Sequence, residues 1–543
     1  MGPSDSRSLH TYLAKSSGSS YHFLSDEELE YMSLIQTRAQ PYFPRFAAAL
    51  AEQTPFEREQ GRCAAVDFTN PQDHQITSFA TATELHQYLG NDVSPPPYHT
   101  VPELPTRRLF ILEDLPCNHI LALGSRLRIP PSFFAGHWED PASSTFNHRN
   151  PFQRCTLPNF RLRYATANRV EVDAPTPGHG GTSPNVFTFD TRVCRYLHTY
   201  NRGGLVYDEA RSHHAMSFWS SPAREDGSWH AVLLVDPPLG QHVRCMTTKQ
   251  LIPLRTRLAD ETSMPKYFLN PEMQTMDELP QSCSQWSSSY SSPGYISMFD
   301  DTLQSFSSNT SAPITATHNP LSVVAFPRRL VISTLIAYIR RRYLNLVSIQ
   351  NSSFKPHTMR HNYLASFSKS NYSSWNSDLF DFIVGSRAAI RVFAGEMDDN
   401  ATALALHNTP SDCGAAAAVV EQWERDGWQS IRELTAVVEE TVNAFATGYL
   451  QYVTIQEAHV SNGNAQSLAR ITVLTMLFIP LSTVASIFSM GGDFLPGENR
   501  AWVFWVVAIP LLAVLAWLYW YRQIMRAWRE RKEAVLPLFR EKS

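Results

Sequence analysis

Residues Ile471–Met490 read ITVLTMLFIPLSTVASIFSM, and ten residues later Ala501–Tyr521 read AWVFWVVAIPLLAVLAWLYWY. Neither run holds a charged side chain. At about 1.5 Å rise per residue a helix over the first run is roughly 30 Å long, the thickness of a bilayer core. The second run carries Trp502, Trp505, Trp517, Tyr519, Trp520 and Tyr521, rings that settle at membrane interfaces. Two such runs joined by Gly491–Arg500 predict a membrane hairpin rather than the buried core of a soluble domain.

Arg522, Arg526, Arg529, Arg531 and Lys532 follow the second run and Arg470 precedes the first. The excess of basic residues on that side places both chain ends in the cytoplasm. Only the short loop with Asp493, Glu498 and Arg500 is left to face the other side. The expectation is a multi-pass integral membrane protein with cytoplasmic termini, with the plasma membrane as the favoured host. The sequons at Asn309, Asn351, Asn371 and Asn400 would then lie beyond the reach of glycosylation.

Working upstream, apolar positions Ile431, Leu434, Val438, Val442, Phe445 and Tyr449 keep steps of three or four, one stripe of an amphipathic helix. If that helix starts near Ala415 and runs unbroken to Met490, it is a stalk about 114 Å long. Trp375–Glu396 and Arg328–Val347 are also helical. Arg340, Arg341 and Arg342 interrupt the latter, so it reads as a buried amphipathic helix and not as a third span. From Gln281 to Pro320, twelve of forty residues are Ser and the only charges are Asp300 and Asp301, the composition of a linker. Before it, Arg108–Leu112, Phe160–Ala165, Met216–Trp219 and His230–Val235 are strand candidates, and Leu115–Leu127 a helix that ends before Ile129-Pro130-Pro131.

The predicted organisation is a disordered tail over 1–41, a cytoplasmic α/β domain over 42–255 and a Ser-rich insertion over 256–320. A helical region and stalk follow over 321–470, then a first span over 471–490, an outer loop over 491–500, a second span over 501–521 and a basic tail over 522–543. The fold class is α+β (α/β), followed by a long helix and two C-terminal membrane helices.

Across 543 residues the formal charge is only −4, which gives no reason to expect a nucleic-acid partner. Seven widely spaced cysteines include no CxxC pair and predict neither a disulfide framework nor a zinc ribbon. No GxSxG, Walker loop or GxGxxG occurs in a supporting context, so an enzyme is not expected. His357 and His361 have the spacing of a helical metal pair without a third ligand, and His213-His214 is weaker still. The acidic residues Glu396, Asp398 and Asp399, and Glu421, Glu424, Asp426, Glu433, Glu439 and Glu440, read as a solvated helix face.

Within the first run the hydroxyls of Thr475, Ser482, Ser486 and Ser489 fall within about 60° of one another on the helix surface. Such a face serves either close helix packing or a pore. Two spans cannot enclose a conduit alone, so a pore requires several copies of the chain around an axis.

The first run with Pro480 in its middle, the loop with Leu495-Pro496-Gly497, and the aromatic second run ending in basic residues resemble the membrane module of the CorA-type magnesium transporters. Leu112–Trp138, LEDLPCNHILALGSRLRIPPSFFAGHW, is similar to the soluble domain of their fungal relatives. The resemblance implies a homopentamer with the first span lining a pore for magnesium or another divalent cation. Such an ion would be cargo and in part a regulator held between subunits by acidic groups; no further cofactor is implied. Leu468 and Ile471 would form the hydrophobic constriction, Thr475, Ser482 and Ser486 the polar wall, and Ser489, Met490, Gly491, Asp493 and Glu498 the outer mouth. The family carries Gly-Met-Asn where this chain has Ser489-Met490-Gly491, so the amide that receives a hydrated ion is missing. Two readings stay open, a divalent-cation transporter and a non-conducting membrane scaffold or sensor.

Overall fold

A computed structural model describes residues 24–70, 74–91, 105–142, 159–172, 186–200, 208–222, 224, 226–240, 242–246, 249–257, 297–307, 320–354, 377–404, 406, 422–489 and 501–540. The chain divides into two compact units, Met1–Ser370 with Ser377–Phe445, and Asn371–Asn376 with Ala446–Ser543.

The first unit is organised on one mixed sheet. Its strands are β1 (Gln60–Asp67), β2 (Gln75–Thr81), β3 (Arg107–Glu113), β4 (Phe160–Val172), β5 (Val186–Phe189), β6 (Tyr196–Tyr200), β7 (Asp208–Ser220), β8 (Trp229–Val235), β9 (His242–Cys245) and β10 (Leu251–Arg257). The order is β2-β1-β3-β8-β7-β4-β10-β9-β5-β6, and β6 also pairs with β7. The last six strands therefore close into a small barrel filled by Phe187, Phe189, Leu197, Val243, Ile252 and Leu254. The other four form an open wing, in which β3 and β8 run parallel with Arg107 opposite Trp229. Phe110, Ile111 and Leu112 of β3 and Val232, Leu233 and Leu234 of β8 are all buried. Unbroken apolar runs such as RLFIL and HAVLLV are what a strand covered on both faces needs.

Helices cover the wing: α1 (Asp26–Leu34), α2 (Pro44–Glu52), α3 (Pro55–Glu59), α4 (Ala82–Asn91), α5 (Cys117–Leu127) and α6 (Pro131–Trp138). A reciprocal capping box starts α1, with the Ser25 amide donating to Glu28 at 2.8 Å and the Glu28 amide to the Ser25 hydroxyl at 3.4 Å. Its Tyr31 hydroxyl donates to the Ile129 carbonyl at 2.6 Å. A methyl group on Gly124 of α5 would lie 2.3 Å from the Tyr31 ring, so this approach of α1 to α5 requires glycine. The expected tail over 1–41 is thus helical from Asp26 to Ala39, because capping and the burial of Tyr31 and Ile35 offset its polar composition. Residues 1–23 lie outside the described part.

The Ser-rich insertion needs a similar correction. Helix α7 (Met298–Ser307) lies inside it and packs on the wing, with Phe299 and Thr302 buried and the Phe306 ring 5.6 Å from that of Phe68. Ser297 donates to Glu113, while Arg62 bridges Glu113 and Asp300. The sparse apolar residues of a Ser-rich stretch are enough when they all fall on one docked turn.

Three long helices complete the first unit: α8 (Ala325–Phe354), α9 (Ser377–Ala403), and the opening turns of α10 (Gln422–Ser489). By length and composition, Ser322–Val347, Glu424–Ser489 and Trp502–Tyr521 are each apolar enough to cross a membrane, but the most apolar windows are 56%, 0% and 6% buried within the protein, respectively. The first is a core helix, with Val331, Leu335 and Ile339 buried against the unit. Residue Asn400 of α9 docks on β4, its side chain accepting from the Arg163 amide at 2.8 Å and donating to the Arg163 carbonyl at 2.7 Å. This sequon asparagine is fully buried, and a glycan on it would be incompatible with this docking. The other three sequons, at Asn309, Asn351 and Asn371, lie outside the described residues or in a segment whose side chains are not described.

Where β8 ends at Asp236-Pro237-Pro238, the Asp236 carboxylate is fully enclosed and accepts from Arg195 at 2.5 and 2.7 Å and from the Ala215 amide at 2.9 Å. His137 and His214 each stand 3.3 Å from it. Burial works to raise its pKa, yet Arg195 and the two histidines hold it well below the ordinary carboxylate range. One acid thus ties α6, β6, β7 and β8 together. Replacing Asp236 by Ala strands the buried Arg195 charge, and we expect a loss of about 3–5 kcal/mol, read as a large fall in the melting temperature of the full chain in detergent.

Candidate functional site

The predicted polar wall lies on α10, within the second unit. Helix α10 runs without a break from Gln422 to Ser489 and contains Pro480; the predicted start near Ala415 falls among residues 415–421, outside the described part. Thr475 donates its hydroxyl to the Ile471 carbonyl at 2.8 Å, Ser482 to that of Ile479 at 2.9 Å, and Ser489 to that of Ser486 at 2.9 Å. In apolar surroundings a hydroxyl needs a partner for its proton, and the preceding turn supplies one. What these side chains turn outward is oxygen lone pairs. A row of acceptors suits the water shell of a cation, whose protons point away from the ion.

Leu468 and Ile471 are 63% and 61% exposed, and Thr475, Ser482, Ser486 and Ser489 are exposed as well. At 100° per residue all six fall within about 60° of one another on the α10 surface. The geometry brings the expected constriction and wall residues onto one uncovered face. Met490, Gly491, Asp493 and Glu498 lie outside the described residues.

Two residues missed in the sequence continue this face downward. Asn464 is five full turns before Ser482 and Glu457 seven turns before it, both within about 20° of the same line; both are exposed. The signal was present as an 18-residue spacing, but the Ser461-Asn462-Gly463-Asn464 cluster reads as a helix breaker before the helix is seen to continue through it.

The return helix α11 (Ala501–Arg540) holds the second apolar run and continues through the stretch expected as a basic tail. It meets α10 through the Phe488 and Phe504 rings, 6.2 Å apart and nearly perpendicular, a favourable edge-to-face arrangement.

The remaining candidates divide. His214 belongs to the Asp236 cluster and stacks on Tyr164 at 5.2 Å. His357 and His361 lie outside the described residues. Among those described, no group of three or more His, Cys, Asp or Glu side chains is placed to hold a metal ion. The solvated-face reading of the acidic residues fits Asp426, Glu433 and Glu440, which are exposed. It fails at Glu424, which is buried 3.4 Å from Arg328, at Asp399, which pairs with Arg163, and at Glu396. Glu424 and Glu396 face the first unit's interior and Asp399 is half-buried at its edge, and a charge out of water needs a partner.

Residues 423–522 match the model of a family described as CorA-like Mg2+ transporter protein. That stretch begins one residue into α10 and ends one residue beyond the second apolar run. Fifteen chains of known structure match. Among them is the complete structure of the CorA magnesium transporter from Methanocaldococcus jannaschii, at 9% identity and a TM-score of 0.35 over 84% of this chain and 96% of that one. No curated protein matches the chain. The expected α+β class, with an α/β N-terminal part, a long helix and apolar C-terminal helices, is the architecture found.

Glu396 is 2% exposed and its carboxylate accepts no hydrogen bond among the described residues. The nearest ring, His213, is 3.4 Å away. Burial raises Glu396 to about 7 against the pull of Arg163 and Arg211, with Asp140 and Asp399 adding to the rise. Burial, then Arg211, lowers His213 to about 3. Between those two values they form a neutral pair, a protonated acid beside an uncharged imidazole. A carboxyl whose folded pKa is raised stabilises fully below its unfolded value and loses that contribution as pH climbs through the folded one. Between pH 5 and 7.5 the native chain should therefore lose up to about 3 kcal/mol that Glu396→Gln retains. Thermal melts of the two across that range should diverge with rising pH, and parallel curves would refute this assignment.

Proposed function

We propose that this chain is a membrane transporter for divalent cations, magnesium first among them, and that ions pass along the acceptor face of α10 in a homo-oligomeric pore. The carrying observation is that an uncovered face of hydroxyl oxygens, closed below by Leu468 and Ile471, lies within the residues that match the CorA-like Mg2+ transporter family. A single apolar hairpin in lipid gains nothing from such a face, since each exposed polar atom costs free energy there. Around an axis the same face becomes the wall of a conduit, and a pentamer is the assembly we favour. Both termini face the cytoplasm in this reading.

A hydrated ion would meet Glu457 and Asn464 on the cytoplasmic side, then the hydrophobic ring of Leu468 and Ile471, then Thr475, Ser482, Ser486 and Ser489. Opening requires the Leu468–Ile471 ring to widen or wet, which motion of the helices would achieve. Asp493 and Glu498 would attract cations to the outer mouth. With glycine at 491 in place of an amide, selectivity rests on hydroxyls and backbone carbonyls, and it should be broader than an asparagine ring would give.

Purified protein in liposomes loaded with a magnesium-sensitive dye should take up Mg2+ above the rate of empty vesicles. Flux equal to that of empty vesicles would reject transport and leave a membrane scaffold or sensor. Gly491→Asn should then sharpen discrimination between Mg2+ and larger divalent ions, whereas a gain of flux from zero would also favour the non-conducting reading. In the same assay, Leu468→Ser should raise flux by about tenfold or more, because a polar ring no longer dewets.

A further inference from the structure

Within the second unit, α10 and α11 leave a cleft of about 370 Å³ between them. Its wall is Val473 and Met476 from one helix and Leu515, Ala516, Trp517, Tyr519 and Trp520 from the other. The surface is almost wholly apolar, and the volume is more than twice that of an apolar cavity of about 150 Å³ that admits benzene. Trp517 and Trp520 remain 64% and 70% exposed, and Trp517 stacks on Tyr521 at 5.7 Å. The cleft therefore opens sideways, with aromatic rings at its lip.

Its depth decides what fits. Arg470 is one turn below Val473 and exposed, and the α11 sequence passes from Trp520-Tyr521 directly to Arg522, with Arg526, Arg529, Arg531 and Lys532 in the next turns. The apolar cleft thus ends where the chain turns strongly basic, at the level of the membrane interface. We propose that this cleft seats an acyl chain of an anionic phospholipid from the cytoplasmic leaflet, with the exposed Arg470 binding the headgroup phosphate. Aromatic rings at the lip fit the ester region, where amphipathic rings are most stable. Phosphate beside arginine supplies the charge complementarity that a neutral lipid lacks. The site rests on the membrane placement of the two helices, but it does not require transport.

The two tryptophans allow a direct test. The full chain is reconstituted in phosphatidylcholine vesicles containing either brominated phosphatidylglycerol or brominated phosphatidylcholine at equal mole fraction, and tryptophan quenching is measured. A Trp517→Phe/Trp520→Phe variant identifies the fluorescence of the cleft. That component should be quenched preferentially by the brominated anionic lipid, by about fivefold in relative association. Arg470→Gln should abolish the preference and leave quenching by the neutral lipid intact. Equal quenching by both lipids in the native chain would overturn the proposal, since any acyl chain would then do. No quenching of the cleft component would also overturn it. Cross-linking of Met476→Cys between copies would then show a second chain in the cleft. Failure of the protein to float with the vesicles would reject the membrane placement itself, a result distinct from incorporation without lipid preference.

Discussion

One helix, α10, has to be stable in two different surroundings, and the requirement that a backbone satisfy its own hydrogen bonds governs how it is written. Its first turns belong to the first unit and bury a single stripe, Trp428, Ile431, Thr435, Val438, Val442 and Phe445. Polar side chains cover the remaining sides. From Leu450 onward that stripe ends, and most side chains are exposed, with Val473, Leu481, Val484 and Phe488 half-buried. In hydrocarbon no water is present to rescue an unpaired amide, so only an unbroken helix serves. Serine and threonine, elsewhere weak helix formers, are acceptable because their protons return to the preceding turn. The same local bond that makes a hydroxyl tolerable in the span is what aims its lone pairs outward.

The first unit solves the opposite problem, holding charges in a dry interior. Two pairings do this, Arg195 with Asp236 and Arg328 with Glu424, and a third, Arg163 with Asp399 beside Asn400, does so at the edge, where Asp399 is half-buried. Buried pairs of this kind add little net stability over apolar replacements, but a broken one is costly. Their value is positional. Arg195 closes the barrel onto α6, Asn400 substitutes for a neighbouring strand along β4, and Arg328 fixes the start of α10 against α8. Gly427 reinforces the last contact, since a methyl group there would stand 3.0 Å from Ile332.

Much of this was legible in the chain because it depended on local pattern. Strands such as RLFIL and HAVLLV announce themselves by unbroken apolar runs between turn residues, and both are found paired side by side. The hairpin helices follow from composition alone, and the hydroxyl face follows from spacing once a helix is granted. What escaped was set by distant partners. The helix at Asp26–Leu34 depends on Tyr31 reaching Ile129, and the docked turn at Met298–Ser307 on Phe306 meeting Phe68. The buried states of Glu396 and Glu424 depend on strands and helices dozens or hundreds of residues away. A carboxylate on an amphipathic helix looks solvated until the element packed against it is known. Closure of the barrel was equally invisible, since it requires β6 to pair with two strands at once.

In the pore proposed above, an outer mouth without an amide changes what the acceptor face must accomplish. A magnesium ion holds its first water shell tightly and prefers to be recognised through it. Amide oxygens gathered at one level recognise such a shell at a single point, with strong dipoles in fixed positions. Hydroxyls spread over Thr475, Ser482, Ser486 and Ser489 would do so weakly and repeatedly along four turns. Weak, repeated contacts favour movement over retention, because each site is left as easily as the next is entered. They also discriminate less between ions whose shells differ little in size. In the proposed pore, the departure at Ser489-Met490-Gly491 and the length of the hydroxyl face would be two parts of one arrangement, in which passage along a wall takes over from capture at a gate.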